Sequence, residues 1–209
     1  RVAVFVLAVL LAMLDGIDNV TLGLVAPALS AELQIPKTDL ASVFTATLIG
    51  LTVGAMVLGP AGDKWGRRPA TLACTAFFGI FTLAIHYVQG LNMLILFRFL
   101  AGIGIGGLLP NICALVSEYS PNKHRQTGVL VVSGGIAAGA MLGGILASFI
   151  EPALGWRSLF MVAGGVTIVA LIVAIILLPE SIRFLIARNP THPDVYRLLK
   201  RISPAADIP

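Results

Sequence analysis

Charged side chains are scarce in this chain: Asp, Glu, Lys and Arg together make up 11% of it, where a water-soluble domain carries about a quarter. That shortage, with 57% apolar residues and a mean hydropathy of +0.96, excludes an ordinary soluble surface. Cysteine is almost missing as well. Cys74 and Cys113 both lie in apolar stretches without metal-ligand spacing, which argues against a disulfide scaffold or a zinc site and leaves small packed thiols. Alternating strand patterns are absent, which argues against a barrel. Nothing resembles a hydrolytic triad or a phosphate-binding loop, so no enzyme is indicated. The formal charge of +4 could suggest nucleic acid, but the basic residues sit in short loops between apolar spans and form no stripe.

What the chain does have is long apolar runs, at roughly 2–29, 40–61, 70–88, 93–116, 128–150 and 158–178. About 20 apolar residues cross the roughly 30 Å of hydrocarbon as a helix. Helices are expected because backbone polar groups in oil must be satisfied within the segment. Of 14 Lys and Arg, only Lys37 and Arg157 fall on one side of these spans, and Arg98 falls inside one. The rest lie on the other side, so both ends and the loops at 62–69 and 117–127 are expected to be cytoplasmic. The start at Arg1 and the polar tail lead to the expectation of a fragment of a longer carrier. Within the tail at 180–209, Val195, Leu198, Leu199 and Ile202 repeat at helical spacing among Arg197, Lys200 and Arg201. A short basic helix suited to an anionic leaflet is expected there, or a plain linker, or both.

Charges inside the spans are few: Asp15 and Asp18 in the first, Arg98 in the fourth. At mid-membrane each costs at least about 2.5–3.5 kcal/mol on insertion scales, so such residues face an interior route and carry a role. The third and sixth spans hold none and are free to face lipid. If the six helices are two three-helix repeats of inverted topology, spans one and four are equivalent, as are three and six. The charged helices then map onto each other, and so do the uncharged ones. Arg98 lies roughly 8 Å into its span and Asp18 roughly 16 Å from the same side, at 1.5 Å per residue. A long arginine side chain covers much of that gap. Asp15 and Asp18 share a helix face, with Gly16 between them. Two acids facing one base leave one carboxyl without a counter-charge, and an apolar setting favours its protonated form. Asp15, Asp18 and Arg98 are therefore candidates for proton coupling and substrate positioning, against the plainer reading of a structural ion pair.

Gly59-Pro60-Ala61-Gly62-Asp63-Lys64-Trp65-Gly66-Arg67-Arg68 is the most specific string. Gly62 and Gly66 permit a tight turn, Asp63 suits a helix N-terminus, and the arginines fork onto carboxylates. Glu118 is the expected acidic partner of Arg67. Glu118-Tyr119-Ser120-Pro121 followed by Arg125 forms a second charged turn on the same side.

Gly59 to Arg68 resembles the signature loop between helices two and three of the major facilitator superfamily. Arg98-Phe99-Leu100-Ala101-Gly102 resembles its helix-four motif, and Asp15-Gly16-Ile17-Asp18 is similar to the first-helix motif of the aromatic acid:proton symporters. Leu109-Pro110-Asn111, Ser117-Glu118-Tyr119 and Leu178-Pro179-Glu180-Ser181 are similar to that family too. The resemblance implies an all-α membrane protein, the N-terminal half of a twelve-helix carrier in the inner membrane. It implies a small aromatic acid as substrate, protons as coupling ion and no other cofactor. It also implies that Asp15, Asp18 and Arg98 serve coupling or substrate. Gly62, Asp63, Gly66, Arg67, Arg68, Glu118 and Arg125 would latch one side during alternating access, with Asp63 meeting a helix of the missing C-terminal half.

Gly102-Ile103-Gly104-Ile105-Gly106-Gly107 fits a dinucleotide fingerprint, but it lies within an apolar span with no strand before it, so close helix packing explains it. The stretch from Gly135 to Gly144 resembles an antiporter motif, with Ala140 where that motif has proline. His86 and His124 have no companions for a metal site. Alternatives left open are a carrier for other organic acids, sugars or drugs, and a six-helix scaffold or sensor.

Overall fold

The computed structural model describes residues 2–36, 38–121 and 125–181. Six helices carry almost all of them: α1 Val2–Glu32, α2 Leu40–Trp65, α3 Arg67–Ala84, α4 Leu91–Tyr119, α5 Arg125–Leu154 and α6 Trp156–Leu177. A single 3-10 turn, Ile85–Tyr87, extends α3. All six are long and apolar enough to cross a membrane, and no strand occurs among the described residues. The expected spans lie inside these helices or within a few residues of their ends, because the helices run on past the apolar run into the polar boundary. The basic helix expected at 195–202 falls outside the described residues, as do Lys123 and His124.

Most buried hydroxyls follow the requirement that polar groups in oil be satisfied locally, Thr82 Oγ1 being the exception among the described residues. Thr71, Thr75 and Thr167 each donate to the carbonyl four residues back, at 2.7–2.8 Å, so they cost the helix little. Prolines 27, 60, 110 and 152 sit inside helices and do not end them.

The packing repeats itself. α2 lies chiefly on α4 and α5 chiefly on α1, while α3 packs on α4, α6 on α1, and α3 against α6. Each of these contacts has its mate when helices one to three are exchanged with four to six, as an inverted repeat requires, whereas α4 also meets α5 without a comparable contact of α1 on α2. The closest approaches obey the same exchange. A side chain at Gly54 would strike the backbone carbonyl of Ile103, and one at Gly139 that of Met13. Gly54 stands as far from the start of α2 as Gly139 does from the start of α5. Small residues let these backbones touch, which is how helices bind each other where lipid offers no hydrophobic drive.

Burial divides the faces. α1 and α4 are the most enclosed helices, and α2 and α5 the least. α2 exposes Leu48, Ile49, Met56 and Val57, and α5 exposes Leu130, Met141, Ile145 and Phe149. Beyond the arginines of their first turns, α3 and α6 carry no charge; they pack inward on one side and present Phe77, Ile80, Val169, Ile172 and Ile176 on the other.

Candidate functional site

Arg98 of α4 is 2% exposed and Asp18 of α1 is 1% exposed. Arg98 Nη1 donates to both Asp18 carboxylate oxygens, at 2.9 and 3.0 Å, and Nε donates to Thr47 Oγ1 of α2 at 3.3 Å. The glycines of α4 allow this. A Cβ on Gly102 would come within 2.6 Å of the Thr47 carbonyl, so α2 lies close enough for its hydroxyl to reach the guanidinium. Asp15, one turn before Asp18, is buried and accepts from Asn19 Nδ2 at 3.1 Å. Among the described residues no cation pairs with it. The expected trio is thus one ion pair and a second carboxyl beside it, held by an amide. Asn19 and Thr47 were not anticipated; the only signal for them was a polar residue within an apolar run.

At the opposite end of α2 and α4 the signature string takes a different shape from the one expected. α2 continues through Pro60 and Gly62 to Trp65, so the turn rests on Gly66 alone. Its φ of 107° lies where a side chain is strained. Gly62 is helical and serves packing: a Cβ there would collide with Asn111 Oδ1. Asp63 closes the last turn of α2 and pairs with Arg67 instead of sitting at the N-terminus of α3. That position belongs to Glu180, whose Oε1 accepts from the Arg68 backbone N–H at 3.1 Å, where an anion suits the helix dipole.

Arg67 does not meet Glu118. Its Nη1 donates to Asn111 Oδ1 of α4 at 3.1 Å, and Asp63 takes Nη2. Glu118 lies two turns further along α4 than Asn111, roughly 10 Å, and accepts from Ser181 Oγ. Arg125 Nε donates to the Ser117 carbonyl at 2.9 Å, and Arg68 Nη2 to the Ile175 carbonyl at 2.7 Å. The Tyr119 hydroxyl donates to the Glu180 carbonyl at 2.8 Å. The charged groups here do form one cluster, drawn from α2, α3, α4, α5 and the segment after α6. Its members outside the expected set are Asn111, Glu180 and Ser181.

The far end of the bundle carries a second clasp. Glu32, closing α1, accepts from Trp156 Nε1 at 2.6 Å and Arg157 Nε at 3.0 Å. Arg157 Nη1 donates to the His86 carbonyl at 2.6 Å, and its guanidinium lies 4.6 Å from the Trp156 ring centroid. The preceding Gly155 has φ 79°. A glycine of positive φ therefore opens α6 just as one opens α3, with an arginine in the first turn of each helix. Among the described residues no group of three or more His, Cys, Asp or Glu could hold a metal ion.

Comparison with known proteins gives consistent results. A family model described as the Major Facilitator Superfamily matches residues 8–202. A 4-hydroxybenzoate transporter of Acinetobacter baylyi is 39% identical over 195 residues, covering 93% of this chain and 43% of that protein. A benzoate transport protein of the same organism is 34% identical over 191 residues, covering 89% of this chain and 41% of its own length. The chain thus spans less than half the length of these curated relatives. Among solved structures, the xylose transporter XylE from E. coli, partially occluded and inward open, superposes with a TM-score of 0.83. That match has 20% identity and covers 96% of this chain and 55% of XylE. At that identity the likeness is one of fold alone.

Proposed function

The chain belongs to the Major Facilitator Superfamily, and from that premise we propose that it forms the first six-helix half of a twelve-helix carrier that takes up an aromatic carboxylate with protons. It is a multi-pass membrane protein and a transporter of a small molecule, not an enzyme. The observation that carries the fuller reading is the Asp18–Arg98 pair with Asp15 one turn away. A paired arginine and a spare carboxyl, both enclosed by apolar helices, make a site whose net charge changes by one with each proton bound.

The cycle follows from that charge. A proton entering the Asp15/Asp18 pair weakens the hold on Arg98. The guanidinium then attracts an incoming carboxylate, and the loaded, compensated site permits the halves to rock. Each charge carried across 100 mV is worth about 2.3 kcal/mol, so the membrane potential contributes to accumulation. The relatives named for 4-hydroxybenzoate and benzoate support an aromatic acid as cargo. The apolar faces of α2 and α5 suit burial against the second half. Gly62, Asp63, Gly66, Arg67, Arg68, Glu118 and Arg125 serve as the latch on the cytoplasmic side. The basic bias supports both ends lying there, in the cytoplasmic membrane, with residues 180–209 leading to the second half.

Uptake of labelled 4-hydroxybenzoate by cells making the full-length carrier, under an imposed pH gradient, tests this reading. Accumulation is expected in the wild type and is expected to vanish with Asp15→Asn plus Asp18→Asn. Undiminished accumulation by that double variant would remove the proton role. A wild type that accumulates another class of solute but no aromatic acid would overturn the cargo.

A further inference from the structure

Asn111 is the one fully buried amide side chain among the described residues of α4, and its three hydrogen bonds run to three places. Nδ2 donates to the Leu58 carbonyl of α2 at 2.9 Å and to the Gly107 carbonyl of its own helix at 2.7 Å. Oδ1 accepts from Arg67 Nη1 at the start of α3. Both Nδ2 protons are used, and Oδ1 accepts from the guanidinium. The α2 side is shaped around it at one position: only a glycine at 62 leaves room for Oδ1.

From this arrangement we infer that Asn111 is the positioning residue that couples α4 to Arg67, so that a displacement of Arg98 is felt at the α2–α3 turn. Arg98 and Asn111 are 13 residues apart on one helix, roughly 20 Å. Arg98 bonds Thr47 of α2 at one level, and Asn111 bonds Leu58 of α2 at the other. The helices α2 and α4 are thus tied at both ends of a shared seam packed by glycine contacts. When Arg98 leaves Asp18, α4 shifts against α2 along that seam. The amide must then move relative to Arg67 or draw it along. Asp63 is the only other side chain that holds Arg67 among the described residues, and it is 70% exposed, so the buried anchor is Asn111. A carboxylate in its place would add a charge where two carbonyls already point, and an apolar residue would leave the guanidinium with exposed Asp63 and a long 3.5 Å hydrogen bond to the Gly59 carbonyl. An amide supplies both donors and an acceptor without net charge.

This inference rests on the transport reading, and its test separates the two. The full-length carrier is made as wild type, Asn111→Leu, Arg67→Gln and the double variant, with rates normalised to membrane abundance. Asn111→Leu is expected to lower the maximal uptake rate of 4-hydroxybenzoate about 10-fold while KM stays within about 2-fold. That loss corresponds to one charge-assisted hydrogen bond. Arg67→Gln in the same background should add little, because the two residues act as one unit. Additive losses, or a rise in KM at constant maximal rate, would overturn the inference. If Asn111→Leu does not reach the membrane, Gly62→Ala drives the amide off Arg67 from the other side and should give the same split. Tryptic cleavage of purified protein after Arg67 needs no substrate, and Pro69 protects the bond after Arg68. The inference predicts cleavage at least 5-fold faster in Asn111→Leu, and an unchanged rate would contradict it. A wild type without aromatic acid uptake would count against the transport reading, with the cleavage result standing on its own.

Discussion

Asp18→Asn is the sharpest perturbation of the pair, because it keeps the shape of the side chain and removes only its charge. In the wild type Arg98 Nη1 sits 2.9–3.0 Å from both Asp18 oxygens, with both residues at most 2% exposed. Without that carboxylate the guanidinium retains a neutral amide and the Thr47 hydroxyl. Breaking a buried pair on one side costs about 3–5 kcal/mol, because the remaining charge is uncompensated. At roughly 2–4 °C per kcal/mol for a unit of 150–250 residues, thermal unfolding of the purified full-length carrier should begin roughly 6–20 °C lower. Replacing both partners, Asp18→Leu with Arg98→Met, removes the stranded charge and should unfold at or above the wild-type temperature. A pair present only for packing would allow that stable double variant to work; a pair that binds protons and cargo would not. The double variant is therefore expected to be stable and inactive. Wild-type stability in Asp18→Asn, or accumulation by the doubly apolar carrier, would refute the reasoning.

Asp15→Asn alone should abolish accumulation driven by a pH gradient yet leave exchange of labelled for unlabelled substrate, since exchange needs no net proton movement; counterflow in vesicles distinguishes these. Gly139→Val places a branched side chain against the Met13 carbonyl and should cost at least about 1–3 kcal/mol by overpacking, read as loss of folded protein on size-exclusion chromatography. Gly66→Ala meets both a φ of 107° and Glu180 Oε2 at 2.8 Å; its left-handed backbone alone costs about 1–2 kcal/mol, so maximal uptake should fall. At the far end, Glu32→Gln loosens a pair whose side chains are 51% and 27% exposed. Such pairs contribute about 0–1 kcal/mol, so the melting temperature should move little and raised salt should reproduce the shift.

The helices were legible because hydrocarbon thickness sets their length and composition marks their extent. Their ends were less so: Arg67 and Glu151 lie in helices although neither belongs to an apolar run. The Asp18–Arg98 contact was legible from depth, since each charge must find a partner where water cannot serve. The neighbours of Arg67 were not. Charge alone favoured Glu118, but the route along α4 to that residue is two turns longer than the one to Asn111. A neutral amide in a run of Leu, Ile and Gly gave no sign of which helix it would face. Glu180 lies 112 residues from Arg68, and only the return of α6 beside α3 brings them together. The far clasp was hidden for another reason, because Glu32, Trp156 and Arg157 read separately as boundary residues. Their resemblance to the α2–α3 turn appears only when the two halves of the bundle are exchanged.

The claim beneath all of this is that α1 and α4 border a path open to water from one side and then the other. Asn19 is exposed beside the buried Asp15, so a cysteine there, in a full-length carrier with Cys74 and Cys113 replaced by alanine, reports on that path. The account predicts that a membrane-impermeant maleimide labels Asn19→Cys from outside in cells and from the cytoplasmic side in inverted vesicles, with substrate changing the two rates in opposite directions. A thiol that stays unlabelled from both sides, with and without substrate, would contradict it.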